Sequence, residues 1–232
     1  SHPVFTNTRI QQRGCAGSPV ASAHGTAVAS LIAGRAERFS GAAPGAELHV
    51  VDVYCGTPTG GAADSIVDAF AAMARERVPV INVSLVGPPN RMLETVVRLV
   101  IARGHLVVAA VGNDGAAAPP LYPAAYPGVV AVTGVDARRR PLLEAGRGKH
   151  VDFAAPGADM SAATSANAYA RVRGTSFAAP IVAGLLAAQI ASPDRVAAEQ
   201  ALARLIKEAV DLGARGRDAT FGDGLVGELI RN

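Results

Sequence analysis

The sequence is poor in aromatic rings, cysteine and net charge, and each shortage narrows what the chain can be. It has no tryptophan, four tyrosines and six phenylalanines in 232 residues, while half of all residues are apolar. A core must therefore be built from Ala, Val, Leu and Ile, which suits buried parallel strands flanked by alanine-rich helices. No apolar run approaches the roughly 18 residues that span a bilayer, and none carries signal-peptide flanks. The net charge is only +3. Arg138-Arg139-Arg140 is the one tight basic run, and with no aromatic platform beside it, it reads as a solvated turn and not as a nucleic-acid surface. Cys15 and Cys55 lack metal-site spacing and allow either one disulfide or two free thiols. The length fits one domain over residues 1–232, expected to be a monomer.

What is present is an alternation of strand-like and helix-like segments. Short apolar runs, most of them rich in Val, occupy residues 48–54, 78–85, 105–111, 129–135 and 150–154. Each is too short for a typical helix and fits a buried strand. Helical spacing appears over 25–35, 62–76, 91–103, 177–191 and 194–209. In the second of these, Ile66, Phe70 and Met73 share a face that Asp64, Asp68 and Arg75 avoid. Ser192 followed by Pro193 resembles an N-cap with proline at the first helical position. The glycine-, alanine- and proline-rich stretches 115–120 and 157–165 read as loops. Repeated strand–helix–strand units predict an α/β fold, a doubly wound and mostly parallel sheet with helices on both faces. Its sites would lie at the carboxyl ends of the strands, placing Ser84 to Gly87, Gly112 to Gly115 and the loop before Ser176 on one rim.

Three segments carry reactive groups. His24-Gly25-Thr26 opens an amphipathic helix, Gly112-Asn113 ends an apolar strand, and Gly174-Thr175-Ser176-Phe177-Ala178-Ala179-Pro180 leads into an apolar helix. A serine there exposes its hydroxyl beside free backbone N–H groups that can stabilise an oxyanion. It needs a general base, and histidine titrates in the right range. Taken singly, each residue also has a plain structural explanation: Ser176 as a helix cap, His24 as a structural residue at a helix start, Asn113 as a strand-end turn.

Together and in this order, the segments resemble the histidine, oxyanion-asparagine and nucleophile motifs of the subtilisin-like serine proteases. Ile81-Asn82-Val83-Ser84-Leu85 resembles the family's substrate-binding strand, and Phe221-Gly222-Asp223-Gly224-Leu225-Val226 its closing segment. The resemblance implies a serine endopeptidase in which Ser176 attacks the peptide carbonyl and His24 takes and returns the proton. Asn113 and the Ser176 N–H would hold the oxyanion. Ser84, Leu85, Val86, Gly87, Gly112 and Leu121 would line the substrate groove. It further implies a peptide or protein substrate, a propeptide or inhibitor as partner, no cofactor, and a secreted or periplasmic address.

The sequence departs from the family in four places. Ser1-His2-Pro3 is similar to the stretch just after the family's catalytic aspartate, so that residue and its strand are expected upstream of residue 1. In the family this strand lies between the strands matching 48–54 and 80–84, and without it a buried gap with unpaired backbone groups is expected. Asp52, Asp64 and Asp114 are the nearest substitutes by motif, but their equivalent positions are not beside the histidine. Val86 stands where the family usually has glycine, and Leu121 at the floor of the primary specificity pocket, so small apolar residues are expected before the scissile bond. Tyr122-Pro123 is similar to the family's cis peptide bond. Residues 34–41 offer one carboxylate, Glu37, and two arginines, far short of a calcium shell, so no metal is expected there. The alternative reading is a pseudoprotease, a peptide-binding module that has lost cleavage.

Overall fold

The computed structural model describes residues 2–14, 19–54, 56, 62–164 and 167–230. In chain order the elements are β1 (Ile10–Arg13), α1 (Ala23–Ala33), β2 (Arg35–Ala36), β3 (Phe39–Ser40), β4 (Leu48–Val51), α2 (Ala63–Arg75), β5 (Val80–Val83), α3 (Arg91–Ala102), β6 (Leu106–Ala110), β7 (Val130–Val135), β8 (Val151–Pro156), β9 (Met160–Ala163), β10 (Tyr169–Val172), α4 (Thr175–Ala187) and α5 (Arg195–Glu208). All five expected strands and all five expected helices are present. Cys15 and Cys55 lie outside the described residues.

The core is a four-stranded parallel sheet in the order β5-β6-β7-β8. Successive side chains on a strand point to opposite faces, and β6 shows why its run of Leu, Val and Ala has no polar residue. Leu106, Val108 and Ala110 pack under α1 and α4, while Val107 and Ala109 pack under α2 and α3. A strand covered on both faces has no room for a polar alternation. Helix α4 is apolar all round because it lies beneath the sheet, with Ala178, Ala179, Ile181, Val182 and Leu186 fully buried. By contrast, α2 and α3 are amphipathic and keep charge outward.

The pairing of β7 with β8 skips one residue. Ala131 faces Val151, but Val132 faces Phe153. The skipped residue, Asp152, uses Oδ2 to accept the Ala131 N–H at 2.8 Å, and Arg217 donates to its Oδ1 and to the Val151 carbonyl. Burial raises the Asp152 pKa, against the opposing pull of the Ala131 N–H and Arg217. Asp152→Ala should therefore leave a buried N–H without a partner and lower stability by about 2 kcal/mol, read by urea denaturation. A loss under about 0.5 kcal/mol would contradict this account.

Several sequence expectations need correction. The cap of α5 is Asp194, whose carboxylate accepts the Ala197 N–H at 2.7 Å; Pro193 precedes the cap and is not the first helical residue. The stretch 157–165 is not all loop, since Met160–Ala163 pairs antiparallel with Tyr169–Val172. Residues 35–40 form a hairpin with Phe39 buried. Arg138 to Arg140 are exposed on a turn closed by Arg139 N–H to Asp136 O, as expected.

The sheet is split. β1 and β4 form a separate parallel pair, and β4 does not pair with β5. Between them lies a cavity of about 890 Å³ lined along both facing edges by Leu48 to Val53 and Val80 to Leu85. The expected gap is therefore present in the fold, with two strand edges turned toward it.

Candidate active site

Ser176 is not a helix cap. Helix α4 starts at Thr175, and its cap is Gly174, whose φ of 136° is hard for any residue with a side chain. Ser176 is the second residue of the first turn, where N–H groups point out of the helix unpaired. The Thr175 N–H is taken by Asn113 Oδ1 at 3.0 Å and the Phe177 N–H by the Gly174 carbonyl at 3.1 Å. The Ser176 N–H has no partner among the described residues.

Asn113 is held by that same bond. With Oδ1 committed to Thr175, its Nδ2 is left to donate, and the side chain is exposed. A second bond, Gly112 N–H to Thr175 Oγ1 at 3.2 Å, ties the strand end to the buried threonine. Thr175 thus sets the distance between Asn113 and Ser176, a role the sequence reading missed. Nothing in the sequence marks that role, since the burial of the hydroxyl appears only in the fold. On the outer side, Arg173 is held by Glu144 through two bonds of 2.7 and 2.9 Å, and the Arg173 guanidinium lowers the Glu144 pKa.

Pro180 has a specific effect on the nucleophile turn. It lacks an N–H, so the carbonyl four residues earlier, on Ser176, has no helical donor. The Ser84 hydroxyl donates to that carbonyl instead, at 2.8 Å. In return, Ser176 Oγ lies 3.4 Å from the Ser84 carbonyl, a long contact. β5 and α4 are thereby joined at the reactive residue.

His24 lies in the first turn of α1, whose cap Ser22 accepts the Gly25 N–H at 2.9 Å. Its ring sits 5.4 Å from that of Phe177, the residue after the serine. Although His24 as a whole is exposed, desolvation of its ring by the surrounding atoms lowers its pKa. No carboxylate pairs with His24 among the described residues, and it lines the cavity between β4 and β5. The named substitutes are otherwise engaged or exposed. Asp52 accepts the Val20 and Tyr54 N–H groups, Asp64 accepts the Ser65 N–H, and Asp114 is exposed.

Ser84, Leu85, Val86 and Gly87 run on from β5. Gly87 and Tyr122 exchange backbone bonds of 2.9 and 3.0 Å, which ties the segment after β5 to the one that carries Leu121. A methyl group placed on Gly112 would come within 2.6 Å of Leu121 Cδ1 and 3.6 Å of Val86 Cγ1. The space over Gly112 is filled by these two side chains. The Tyr122-Pro123 peptide is cis.

The profile of the subtilase family matches residues 16–224. The minor extracellular protease Epr of Bacillus subtilis (strain 168) is 32 % identical over 206 residues, which is 88 % of this chain and 32 % of Epr. Subtilisin BL of Lederbergia lenta is 38 % identical over 167 residues, covering 71 % of this chain and 61 % of the relative. The chain therefore spans one third to three fifths of the length of these two relatives. Among solved structures, the prenylagaramide maturation protease PagA matches 99 % of this chain and 87 % of its own, with a TM-score of 0.84 and 26 % identity. The patellamide maturation protease PatA matches 99 % and 90 %, with a TM-score of 0.83 and 27 % identity. A family match that runs through the histidine, asparagine and serine segments alike, on a fold shared almost end to end with solved proteases, makes this chain a member of the subtilase family.

Proposed function

We propose that the chain is the catalytic core of a serine endopeptidase that cleaves peptides through an acyl-enzyme on Ser176. The observation that carries this is the stitch between strand end and helix start. Asn113 Oδ1 on the Thr175 N–H leaves an amide donor and the unpaired Ser176 N–H beside one hydroxyl.

In this reading a substrate strand pairs along Ser84 to Gly87. The Ser176 hydroxyl turns from the Ser84 carbonyl to His24 and attacks the scissile carbonyl as His24 takes its proton. The negative oxygen of the tetrahedral species meets Asn113 Nδ2 and the Ser176 N–H, strengthened by the positive end of α4. His24 then protonates the leaving amine, and water repeats the cycle on the acyl-enzyme. A carboxylate on a strand seated between β4 and β5 orients His24 and stabilises its charged form. Leu121 and Val86 shorten the primary pocket, favouring small apolar residues before the scissile bond. The likeness to the maturation proteases PagA and PatA supports a role in proteolytic maturation, and the name of Epr supports action outside the cell.

A second reading, a peptide-binding module without cleavage, is favoured by the lack of a carboxylate beside His24 among the described residues. A fluorophosphonate probe separates the two. The chain carrying its upstream sequence should label at Ser176, and Ser176→Ala should abolish labelling. An extended chain that stays unlabelled ends the peptidase reading.

A further inference from the structure

We propose that Asn82 is a positioning residue that links the cavity between β4 and β5 to the nucleophile turn. This rests on the reading above, in which a strand occupies that cavity.

Asn82 lies on β5 and lines the cavity. Its Nδ2 donates to Ser84 Oγ at 3.0 Å, and Ser84 Oγ donates to the Ser176 carbonyl at 2.8 Å. A hydroxyl has one proton to give. Ser84 spends it on the carbonyl that Pro180 leaves without a helical donor, so Ser84 must act as acceptor toward Asn82. The amide orientation of Asn82 therefore decides whether the relay holds. Turned over, it would present an oxygen to Ser84 and compete with Ser176 for the same proton.

The other end of that amide is unsatisfied. Asn82 Oδ1 is buried and accepts no hydrogen bond among the described residues. A buried acceptor without a donor is unfavourable, and the terminal torsion of asparagine is soft. A backbone N–H from a strand paired on β5 would fill Oδ1 and fix the amide with Nδ2 toward Ser84. Filling the cavity would then register at Ser176 through two hydrogen bonds, independently of any carboxylate reaching His24.

The test uses the chain with its upstream sequence. Asn82→Ala should lower kcat about 10- to 100-fold, the range expected when a reacting group is misplaced. KM for a peptide substrate should stay within about twofold, since Asn82 is outside the substrate groove. Because Asn82 acts through Ser84, the Asn82→Ala/Ser84→Ala double variant should be no slower than Ser84→Ala alone. An unchanged kcat, or additive losses in the double variant, overturns the proposal. A parent chain that neither labels nor hydrolyses defeats the peptidase reading instead. For that case the side-chain amide of Asn82 gives a separate readout by NMR. Its protons should exchange more slowly in the extended chain than in residues 1–232, and equal exchange overturns the proposal without reference to activity.

Discussion

A chain extended upstream, so that an aspartate-bearing strand seats between β4 and β5, is expected to hydrolyse a peptide substrate about 10⁴-fold faster than residues 1–232 alone. The scale comes from subtilisin itself, where loss of the aspartate costs about 3 × 10⁴ in kcat and loss of serine or histidine about 2 × 10⁶. The reason here is specific to His24. Its pKa is lowered by desolvation, so the imidazolium that must form as Ser176 attacks is disfavoured. A carboxylate beside the ring would oppose that shift and raise the pKa. Turnover needs the neutral base and falls as pH drops through this pKa. The acid limb of the pH–rate profile should therefore sit at higher pH in the extended chain than in residues 1–232. Equal rates, or acid limbs at the same pH, would rule out a carboxylate delivered through this cavity.

Leu121→Ala should shift specificity from small to large side chains before the scissile bond. Leu121 lies against Gly112 with Val86 beside it, so truncation opens space where a phenyl ring would enter. Differences of one to several methylenes in such a pocket are worth about 10- to 200-fold in kcat/KM. The ratio of Phe to Ala turnover should rise by that order in the extended chain, with Val86→Gly adding to it. Leu121 is half-buried, so the stability cost should fall below the roughly 2–5 kcal/mol of a fully buried leucine. If the parent already cleaves Phe peptides as well as Ala peptides, the pocket is not closed by Leu121 and this account fails.

Much of the fold was legible because periodicity is a local property. The apolar runs of β6 and β7 leave no position exposed, and the sheet buries them on both sides. The split between β4 and β5 could also be foreseen, but only through the family resemblance, since nothing in the runs 48–54 and 78–85 announces a missing neighbour. What stayed hidden depended on distant partners. Met160–Ala163 is so rich in Ala and Ser that its strand character comes from pairing with Tyr169–Val172 and from packing on α1. The cap of α5 was expected at Ser192, and it is Asp194 whose carboxylate accepts the Ala197 N–H. At the site, the sequence offered Ser176, His24 and Asn113 with structural explanations as good as chemical ones. The structure removes the cap explanation for Ser176 by placing Gly174 there, and it binds Asn113 to Thr175. Asn82 and Thr175 stood inside recognised segments, but their roles depend on distant partners: Asn82 reaches Ser176 through Ser84, 92 residues from it, and Thr175 holds Asn113, 62 residues away.

The split sheet also bears on how the protein comes apart. Strands β5 to β8, with α3 and α4, form one continuous four-stranded ladder with layers packed on both faces, whereas β1 and β4 hold only each other within their sheet. Amide hydrogens on Val107 and Val108 should open only with global unfolding, while those of β1 and β4 open in a smaller, cheaper event. A strand laid between β4 and β5 would join two cooperative units into one. Its arrival would then be visible as a steeper denaturation curve, because more surface would be exposed in a single step.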